Sequence, residues 1–364
     1  MIRMDRARLQ ARVSKYFNRL VHDDLRIESA FLMLHSDRYD IHLNMADSQS
    51  GTPSPFRPYY VASVGKTFTA VLIAILSEHG LVSFDDHIAD YLDDDVMKGL
   101  HTFRGKDYSR EIRIRHLLNH TSGLHDYFGD KPRHGKRMLD ILLNEPSRRW
   151  TPAETVSWSK DNLKSRFPPG EGHHYSDTGY QLLGLIVEKI TSRPFHEALS
   201  LHIFRPLGMA NSCLLQHSQP DRKSELPISA CYVGEKNIIN YTSLSIDYAG
   251  GGIVSTSDDL LKSMCGLTHH TIVRRDTFEK MKDWAKFFPG VDYGYGIMNI
   301  RGTPIIMPRK YSSWGNAGST GSFMFYHPRL DLYLIGSLNR YGYHRKAFRL
   351  MFKCIDIFSR CERR

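Results

Sequence analysis

The stretch VASVGKTFTAVL, residues 61–72, fits two different motifs, and the choice between them bears on the fold of the chain. Its Gly-Lys-Thr triplet resembles the end of a phosphate-binding P-loop, while Ser63 and Lys66 form an S-x-x-K pair. A P-loop needs a glycine five residues before its Gly-Lys pair, so that bare backbone N–H groups can surround the phosphates. Tyr60 occupies that position. The stretch therefore favours the S-x-x-K pair, in which a lysine lies one helical turn after a serine on the same face.

The residues after Lys66, TFTAVLIAILSEHG, are apolar on most faces of a helix and end at Gly80. This pattern predicts a buried helix that is closed by a glycine C-cap. The positive end of its dipole would stabilise an alkoxide on Ser63. Because two fixed residues also occur together by chance, the interpretation depends on the rest of the chain.

The length and composition are those of a globular protein. A chain of 364 residues can bury one large core, and 41% apolar with 24% charged residues is ordinary. No apolar run reaches the ~18 residues of a membrane span, and the N-terminus lacks the pattern of a secretory signal. The cysteines are odd in number and scattered, which predicts reduced thiols in a cytoplasmic protein. They are Cys213, Cys231, Cys265, Cys354 and Cys361.

The net charge of +10 is spread along the chain, with small basic clusters at the N-terminus, at Arg345 and Lys346, and at Arg363 and Arg364. No zinc-finger, helix-turn-helix or RNA-binding signature accompanies these residues. The pattern favours a solvated basic surface over a nucleic-acid site. Attraction to anionic substrates or surfaces stays open.

Strand patterns lie near both ends of the chain. Residues 26–36 and 39–46 predict a hairpin, since Ile41, Leu43 and Met45 alternate with polar neighbours. SFMFYHPRLDLYLIGSLN, residues 322–339, predicts two further strands around a turn. A helix is predicted before the first pair, and another follows the second pair.

The middle of the chain is mostly helical in pattern. Strands at both ends with helices between them predict an α+β fold, with an antiparallel sheet built from both chain ends and flanked by helices. We expect one unit, 1–364, in which residues 1–80 and 250–364 form the sheet region and 81–249 a mainly helical insertion. No internal repeat or flexible linker is evident.

Six motifs in a fixed order give the chain a family resemblance. It resembles the serine β-lactamase and penicillin-binding-protein superfamily, in particular class C β-lactamases, D-amino-acid peptidases and related esterases, over about residues 60–339. The motifs are the S-x-x-K pair, IRIRHLLNHTSGL (112–124), FPPGEGHHYSDTGYQLLG (167–184), PLGM (206–209), AGGGIVSTSDDL (249–260) and WGNAGSTGSFMFYHP (314–328).

The resemblance implies a β-lactamase-like fold and an acyl-enzyme mechanism. Ser63 would be the nucleophile, and Lys66 would take its proton if desolvation or nearby cations favour the neutral amine. Tyr175 resembles the motif tyrosine that shares the proton traffic and protonates the leaving group. The backbone N–H groups of Ser63 and Ser319 would form the oxyanion hole.

Asp177, Asn316 and Gly318 are the expected substrate contacts, and two of them depart from the family pattern. Asp177 stands where β-lactamases usually have asparagine, and Asn316 begins Asn-Ala-Gly where they have Lys-Thr-Gly. Loss of that lysine weakens the case for a carboxylate-bearing β-lactam. Arg309 and Lys310 are close enough in sequence to be candidate replacements.

Other interpretations of single residues stay open. Ser63 also fits a helix N-cap, Lys66 a surface lysine, Tyr175 a core aromatic and Asp177 a turn or cap residue. His116 and His120 have the spacing of two zinc ligands, but no glutamate follows the first, which favours a structural role. We expect no metal and no cofactor.

The sequence therefore predicts a serine hydrolase of esters or small amides. Efficient β-lactam hydrolysis is less favoured. An acyltransferase that uses the same acyl-enzyme and a penicillin-binding or sensing protein without turnover are the alternatives. The oligomeric state, the acyl group and its chirality are not predicted.

Overall fold

A computed structural model of the chain describes residues 3–302 and 308–363. Short 3₁₀ segments and one π-helical turn connect the regular elements. The α-helices of this part are α1 (Arg6–His22), α2 (Gly65–Glu78), α3 (Asp94–Met97), α4 (Ile114–Leu118), α5 (Met138–Asn144), α6 (Pro152–Asn162), α7 (Asp177–Thr191), α8 (Phe195–Leu199), α9 (Tyr248–Gly251), α10 (Ser257–Thr268), α11 (Arg275–Met281) and α12 (His344–Cys361).

The strands form one large antiparallel sheet and several small ribbons. In chain order they are β1 (Arg3–Met4), β2 (Ser29–Ser36), β3 (Ile41–Ser48), β4 (Tyr59–Tyr60), β5 (Thr102–Phe103), β6 (Lys106–Asp107), β7 (Cys213–Leu214), β8 (Tyr232–Val233), β9 (Lys236–Asn237), β10 (Ile253–Ser255), β11 (Ala285–Phe288), β12 (Val291–Tyr293), β13 (Met298–Ile300), β14 (Ser313–Ala317), β15 (Phe323–His327), β16 (Leu332–Ser337) and β17 (Glu362–Arg363).

The large sheet has eight strands in the order β11-β12-β13-β14-β15-β16-β2-β3. The N-terminal hairpin β2–β3 joins the C-terminal strands through the pairing of β2 with β16, in which Leu34 lies opposite Leu334. The predicted α+β fold, with an antiparallel sheet built from both chain ends, is confirmed.

Helices α1 and α12 cover one face of this sheet. The buried residues of α1 recur every four positions, at Leu9, Val13, Phe17 and Val21, which places one apolar stripe against the sheet. The helix α12 contributes a similar stripe to the same cluster of buried side chains. The predicted terminal helices are confirmed within the described residues. Met1, Ile2 and Arg364 of the predicted terminal segments lie outside them.

The other face of the sheet packs against α2, α10 and neighbouring helices. Every residue of α2 from Gly65 to Leu76 is buried, which explains why this helix is apolar on all sides. The 3₁₀ turn Ala62–Val64 leads into α2 and lies next to β14. The start of α2 is therefore fixed between the sheet and the helical region.

The middle of the chain differs in one respect from the prediction. Around residues 112–124, within the region of helical pattern, the structure forms only the short helix α4, because His120 adopts a left-handed φ of 61° that ends regular helix. The division at residues 81 and 249 stays a prediction. Within residues 3–302 and 308–363, none of the helices combines the length and apolar character that crossing a bilayer requires.

Candidate active site

Ser63 lies on the 3₁₀ turn Ala62–Val64, at the point where the chain enters α2. Ala62 just before it has a left-handed φ of 47°, a conformation that costs free energy and is held here by tight packing. A Cβ on Gly65 would lie 2.9 Å from the Cα of Gly251. The backbone of the AGGG segment therefore packs directly against the turn that carries Ser63.

Lys66 is fully buried and its amine has three neighbours. Its Nζ lies 3.5 Å from the Oγ of Ser63, 2.5 Å from the carbonyl oxygen of Gly250, and in direct contact with the carboxylate of Asp177. The expected desolvation is present. The charged neighbour is a carboxylate, however, and not the cation that the sequence analysis also allowed.

Tyr175 packs over this ion pair. Its ring centroid is 5.0 Å from the Nζ of Lys66 and 4.2 Å from the ring of His120, and its hydroxyl interacts with the side chain of Ser63. Burial, reinforced by the negative charge of Asp177, holds the pKa of Tyr175 well above its usual range. The phenol is therefore protonated at neutral pH and suits a proton donor.

Asp126 is a buried carboxylate that the sequence analysis did not identify. It accepts hydrogen bonds from the backbone N–H groups of Asp177 at 3.1 Å, Phe128 at 3.2 Å and Gly129 at 3.0 Å. Burial and the charge of Asp177 raise its pKa well above the ordinary value. Asp126 thus ties its own loop to the first turn of α7, where Asp177 lies.

Gly318 and Ser319 follow β14 and face Ser63 across the cavity described below. A Cβ on Gly318 would lie 2.7 Å from the carbonyl oxygen of Val61, so only glycine fits this approach. The N–H of Gly318 is bound to the carbonyl of Ser322 at 2.8 Å. Among the hydrogen bonds of the described residues, none uses the N–H of Ser319, which leaves it available to an oxyanion.

Asn316 does not reach the site. Its side chain is fully buried, and its amide group lies 2.9 Å from the carbonyl oxygen of Gly296 and 3.3 Å from both the Thr67 and Tyr293 hydroxyls. Its neighbour Ala317 lines the cavity instead. The expectation that Asn316 contacts substrate is therefore corrected: its side chain points to the opposite side of β14.

The two basic residues considered as replacements for the family lysine also lie elsewhere. Arg309 and Lys310 belong to the 3₁₀ turn Arg309–Tyr311, and neither lines the cavity at Ser63. The Nζ of Lys310 is 2.5 Å from the carboxylate of Asp356 on α12. Neither residue can supply a cation to a substrate at Ser63 in this arrangement.

A cavity of about 360 Å³ opens over Ser63. Tyr175, Asp177, Gly318 and Ser319 line it together with Ser63, so the structure brings these predicted residues to one place. None of its described lining residues is lysine or arginine. The large apolar side chains of its walls are Tyr60, Phe128, Leu139, Leu142, Val233, Ile238, Leu244, Phe287, Phe288, Val291, Met298, Tyr341 and Phe348.

The two histidines with zinc-like spacing have structural partners. The Nδ1 of His116 accepts the N–H of Arg113 at 3.1 Å, and the Nδ1 of His120 accepts the N–H of Ser176 at 3.1 Å. Burial lowers the pKa of His116 to about 4 and holds the pKa of His120 well below its usual range. Among the described residues, no group of three or more histidine, cysteine or acidic side chains could hold a metal ion.

Known proteins resemble this chain in sequence and in structure. Penicillin-binding protein 4* of Bacillus subtilis (strain 168) is 28% identical over 259 residues, and the match covers 65% of this chain and 51% of that protein. The chain thus spans about half the length of the curated relatives it matches.

Two solved structures share the fold over almost the whole chain. A D-stereospecific amidohydrolase from Streptomyces sp. superposes with a TM-score of 0.76 at 23% identity, covering 96% of this chain and 98% of that one. EstCE1, a hydrolase with promiscuous acyltransferase activity, gives 0.77 at 17% identity with the same coverage. The sequence model of the Beta-lactamase family matches residues 13–352. This protein therefore belongs to the Beta-lactamase family.

Proposed function

We propose that this chain is a serine hydrolase that acts on esters or small amides through an acyl-enzyme. One observation carries the proposal: the Oγ of Ser63 lies 3.5 Å from the Nζ of a fully buried Lys66, at the floor of a largely apolar cavity. A buried lysine beside a serine supplies what a serine nucleophile needs, because serine is unreactive until a base takes its proton.

The proposed reaction moves one proton at each step. Within the contact of Lys66 with Asp177, transfer of a proton to the carboxylate frees the amine. As Ser63 attacks the carbonyl carbon, its proton passes to this amine, and the N–H groups of Ser63 and Ser319 bind the oxyanion. Tyr175 donates its phenolic proton to the leaving group and recovers one from Lys66. Water then attacks the ester on Ser63, and the same groups work in reverse to release the acid.

The charges around the cavity support neutral or cationic donors over β-lactams. A penicillin carries a carboxylate, and the acidic and basic side chains among the described lining residues, apart from the tyrosine phenols, are three aspartates and His344, with neither lysine nor arginine. Asp177 already engages Lys66, the nearest cation. The described lining residues therefore offer the carboxylate of a penicillin no lysine or arginine with which to pair.

Two further candidates use the same first half-reaction. Acyl transfer to an alcohol or amine is favoured by the apolar walls, which hold less water next to the acyl-enzyme than a polar site would. A penicillin-binding protein that is acylated without turnover is favoured by the sequence similarity to Penicillin-binding protein 4*. The rate of deacylation separates the second candidate from a hydrolase.

The experiment is a comparison of donors on the wild type, Ser63→Ala and Ser77→Ala. Ser77 lies near the other end of α2 and makes a control for replacing a serine in this helix. A short p-nitrophenyl ester, an amino-acid p-nitroanilide and a penicillin are supplied separately, with and without an alcohol acceptor. We expect the wild type and Ser77→Ala to hydrolyse the ester and the anilide, and Ser63→Ala to hydrolyse neither. Equal rates for Ser63→Ala and wild type would refute the proposal.

A cytoplasmic location belongs to the same proposal. All five cysteines are free thiols, and four of them are buried. Free cysteines are typical of a reducing compartment. Fractionation of cells that express the full-length protein, followed by immunodetection, tests the location, and recovery outside the cytoplasm would refute it.

A further inference from the structure

Among the residues that the structure describes, Asp247 is the lining carboxylate of the cavity without a hydrogen-bond or ion-pair partner. Asp177 contacts Lys66, and Asp126 accepts three backbone N–H groups. In the part of the chain that the structure describes, no hydrogen bond or ion pair engages the Asp247 carboxylate. Burial alone raises its pKa to about 7, because no cation or N–H group offsets the loss of water.

The backbone holds Asp247 firmly. It ends the 3₁₀ turn Thr242–Asp247, and the next residue, Tyr248, has a left-handed φ of 31° that a non-glycine residue adopts only under constraint. The Tyr248 ring packs against Gly184 of α7, where a Cβ would clash with it. Two residues after Tyr248, Gly250 supplies its carbonyl to Lys66. The segment that contacts the catalytic lysine therefore also fixes Asp247.

A second unsatisfied polar group lies in the same cavity. Thr320 is only 2% exposed, lines the cavity, and has an Oγ1 that no described residue hydrogen bonds. Buried polar groups without partners are uncommon, and at a binding site they are explained by a ligand that supplies the partner. Thr320 and Asp247 together offer a hydroxyl and a negative charge inside apolar walls.

We propose that Asp247 binds a protonated amine of the substrate, so that the natural donor is an ester or amide bearing an ammonium group. The ammonium would pair with the carboxylate of Asp247 in a cavity without a competing lysine or arginine among its described lining residues. A volume of about 360 Å³ accommodates an amino-acyl group with an apolar side chain. This inference rests on the proposed function for the donor, but the amine site itself can be tested without turnover.

The binding arm uses Ser63→Ala, which removes the nucleophile. Calorimetry compares phenethylamine with 2-phenylethanol, two ligands of the same shape that differ in charge. We expect the amine to bind about tenfold more tightly, and Asp247→Asn in the Ser63→Ala background to abolish the difference. Equal affinities of the two ligands, or an amine preference that survives Asp247→Asn, would overturn the inference.

The turnover arm compares D- and L-phenylalanine p-nitroanilides with 3-phenylpropionic p-nitroanilide, which lacks the amine. We form the ratio of kcat/KM for the donor with the amine to kcat/KM for the donor without it. We expect Asp247→Asn to lower this ratio by about tenfold. Asp161→Asn, on an exposed position of α6, serves as the charge control and should leave the ratio unchanged.

The binding and turnover experiments distinguish failure of the amine-site inference from failure of the proposed function. Hydrolysis of both donors with no preference for the amine refutes the inference and leaves the hydrolase intact. Absence of hydrolysis, together with Asp247-dependent binding of phenethylamine, supports the amine site and refutes the proposed function.

Discussion

The amine of Lys66 contacts the carboxylate of Asp177 while lying 3.5 Å from the Oγ of Ser63. The side chain of Lys66 is fully buried and that of Asp177 is 11% exposed, so each charge depends on the other for compensation. In the related β-lactamases this position is usually asparagine. Here Lys66 therefore has an anionic neighbour in place of an amide.

Replacing Asp177 tests this pairing. Asp177→Ala removes the carboxylate and leaves a buried amine without a partner, so we expect the free energy of unfolding to fall by about 3 kcal/mol. Asp177→Asn keeps an oxygen that can accept from Lys66, and we expect a smaller loss together with measurable hydrolysis. Urea denaturation of the wild type, Asp177→Ala and Asp177→Asn measures the order of their free energies of unfolding. Equal stabilities of the alanine and asparagine variants would contradict the pairing.

Tyr175→Phe tests the proposed proton donor. Because a p-nitrophenolate leaves without protonation and an amine does not, we expect kcat/KM to fall about 100-fold for an anilide and far less for a p-nitrophenyl ester. The control is Tyr180→Phe, since the Tyr180 hydroxyl donates to the carbonyl of Leu118 and not to the site. That variant should affect both donors by a similar factor. Equal losses for the two donors in Tyr175→Phe would exclude a proton-donor role.

Gly251→Ala tests whether close backbone packing positions the nucleophile. The new Cβ would lie 2.9 Å from the carbonyl carbon and oxygen of Ala62, so the turn that carries Ser63 must shift. We expect kcat to fall about 100-fold, as for a catalytic group displaced by about 1 Å. In Gly179→Ala the nearest atom, a methyl carbon of Leu117, is 3.6 Å away, and we expect near-normal kcat. Normal kcat in Gly251→Ala would show that the packing is not required.

Asp247 should make stability depend on pH. Its pKa is about 7 in the folded protein and near 3.8 in the unfolded chain, so the folded state retains a proton that the unfolded state releases. The contribution of the protonated Asp247 to the free energy of unfolding is fully present below about pH 4 and is lost as the pH rises through 7.

We therefore expect the free energy of unfolding of Asp247→Asn to rise by about 2 kcal/mol relative to that of the wild type between pH 4 and 8. This figure is reduced because Asp247 is partly exposed to solvent. Urea denaturation across this range measures it. Asp126 and Asp177 lie near Tyr341, as Asp247 does. Both carboxylates are present in the wild type and in Asp247→Asn, so their charges do not account for a difference between the two proteins. If the free energies of unfolding of the wild type and Asp247→Asn differ by the same amount at all pH values, the raised pKa of Asp247 is contradicted.

Regular elements were predictable because their patterns are local. The alternation in residues 39–46 and the four-residue spacing in α1 each arise from one face packing on a core, and both elements form as expected. The short α4 was not predicted, because the left-handed turn at His120 depends on contacts with Tyr175 and Ser176 that are distant in sequence.

The candidate site was predictable where a motif carries the chemistry. Ser63, Lys66 and Tyr175 come together from two motifs, whereas Asp126 and Asp247 lie outside the recognised motifs, on segments whose positions depend on tertiary packing.

The strand pattern gave no signal against Asn316. Alternation places Asn316 and Gly318 on the same face but does not say which face meets the substrate. Contacts with Thr67, Tyr293 and Gly296, which are distant in sequence, decide the direction of the Asn316 side chain.

Time-resolved intact mass spectrometry tests most directly whether Ser63 carries the acyl group. The wild type and Ser63→Ala are mixed separately with a p-nitrophenyl ester, a D-alanyl ester and a penicillin, and any adduct is located by peptide mapping. We expect an adduct on Ser63 that forms with the esters, decays as product appears, and is absent from Ser63→Ala. An adduct at another residue, or product release from Ser63→Ala at the wild-type rate, would contradict this role of Ser63.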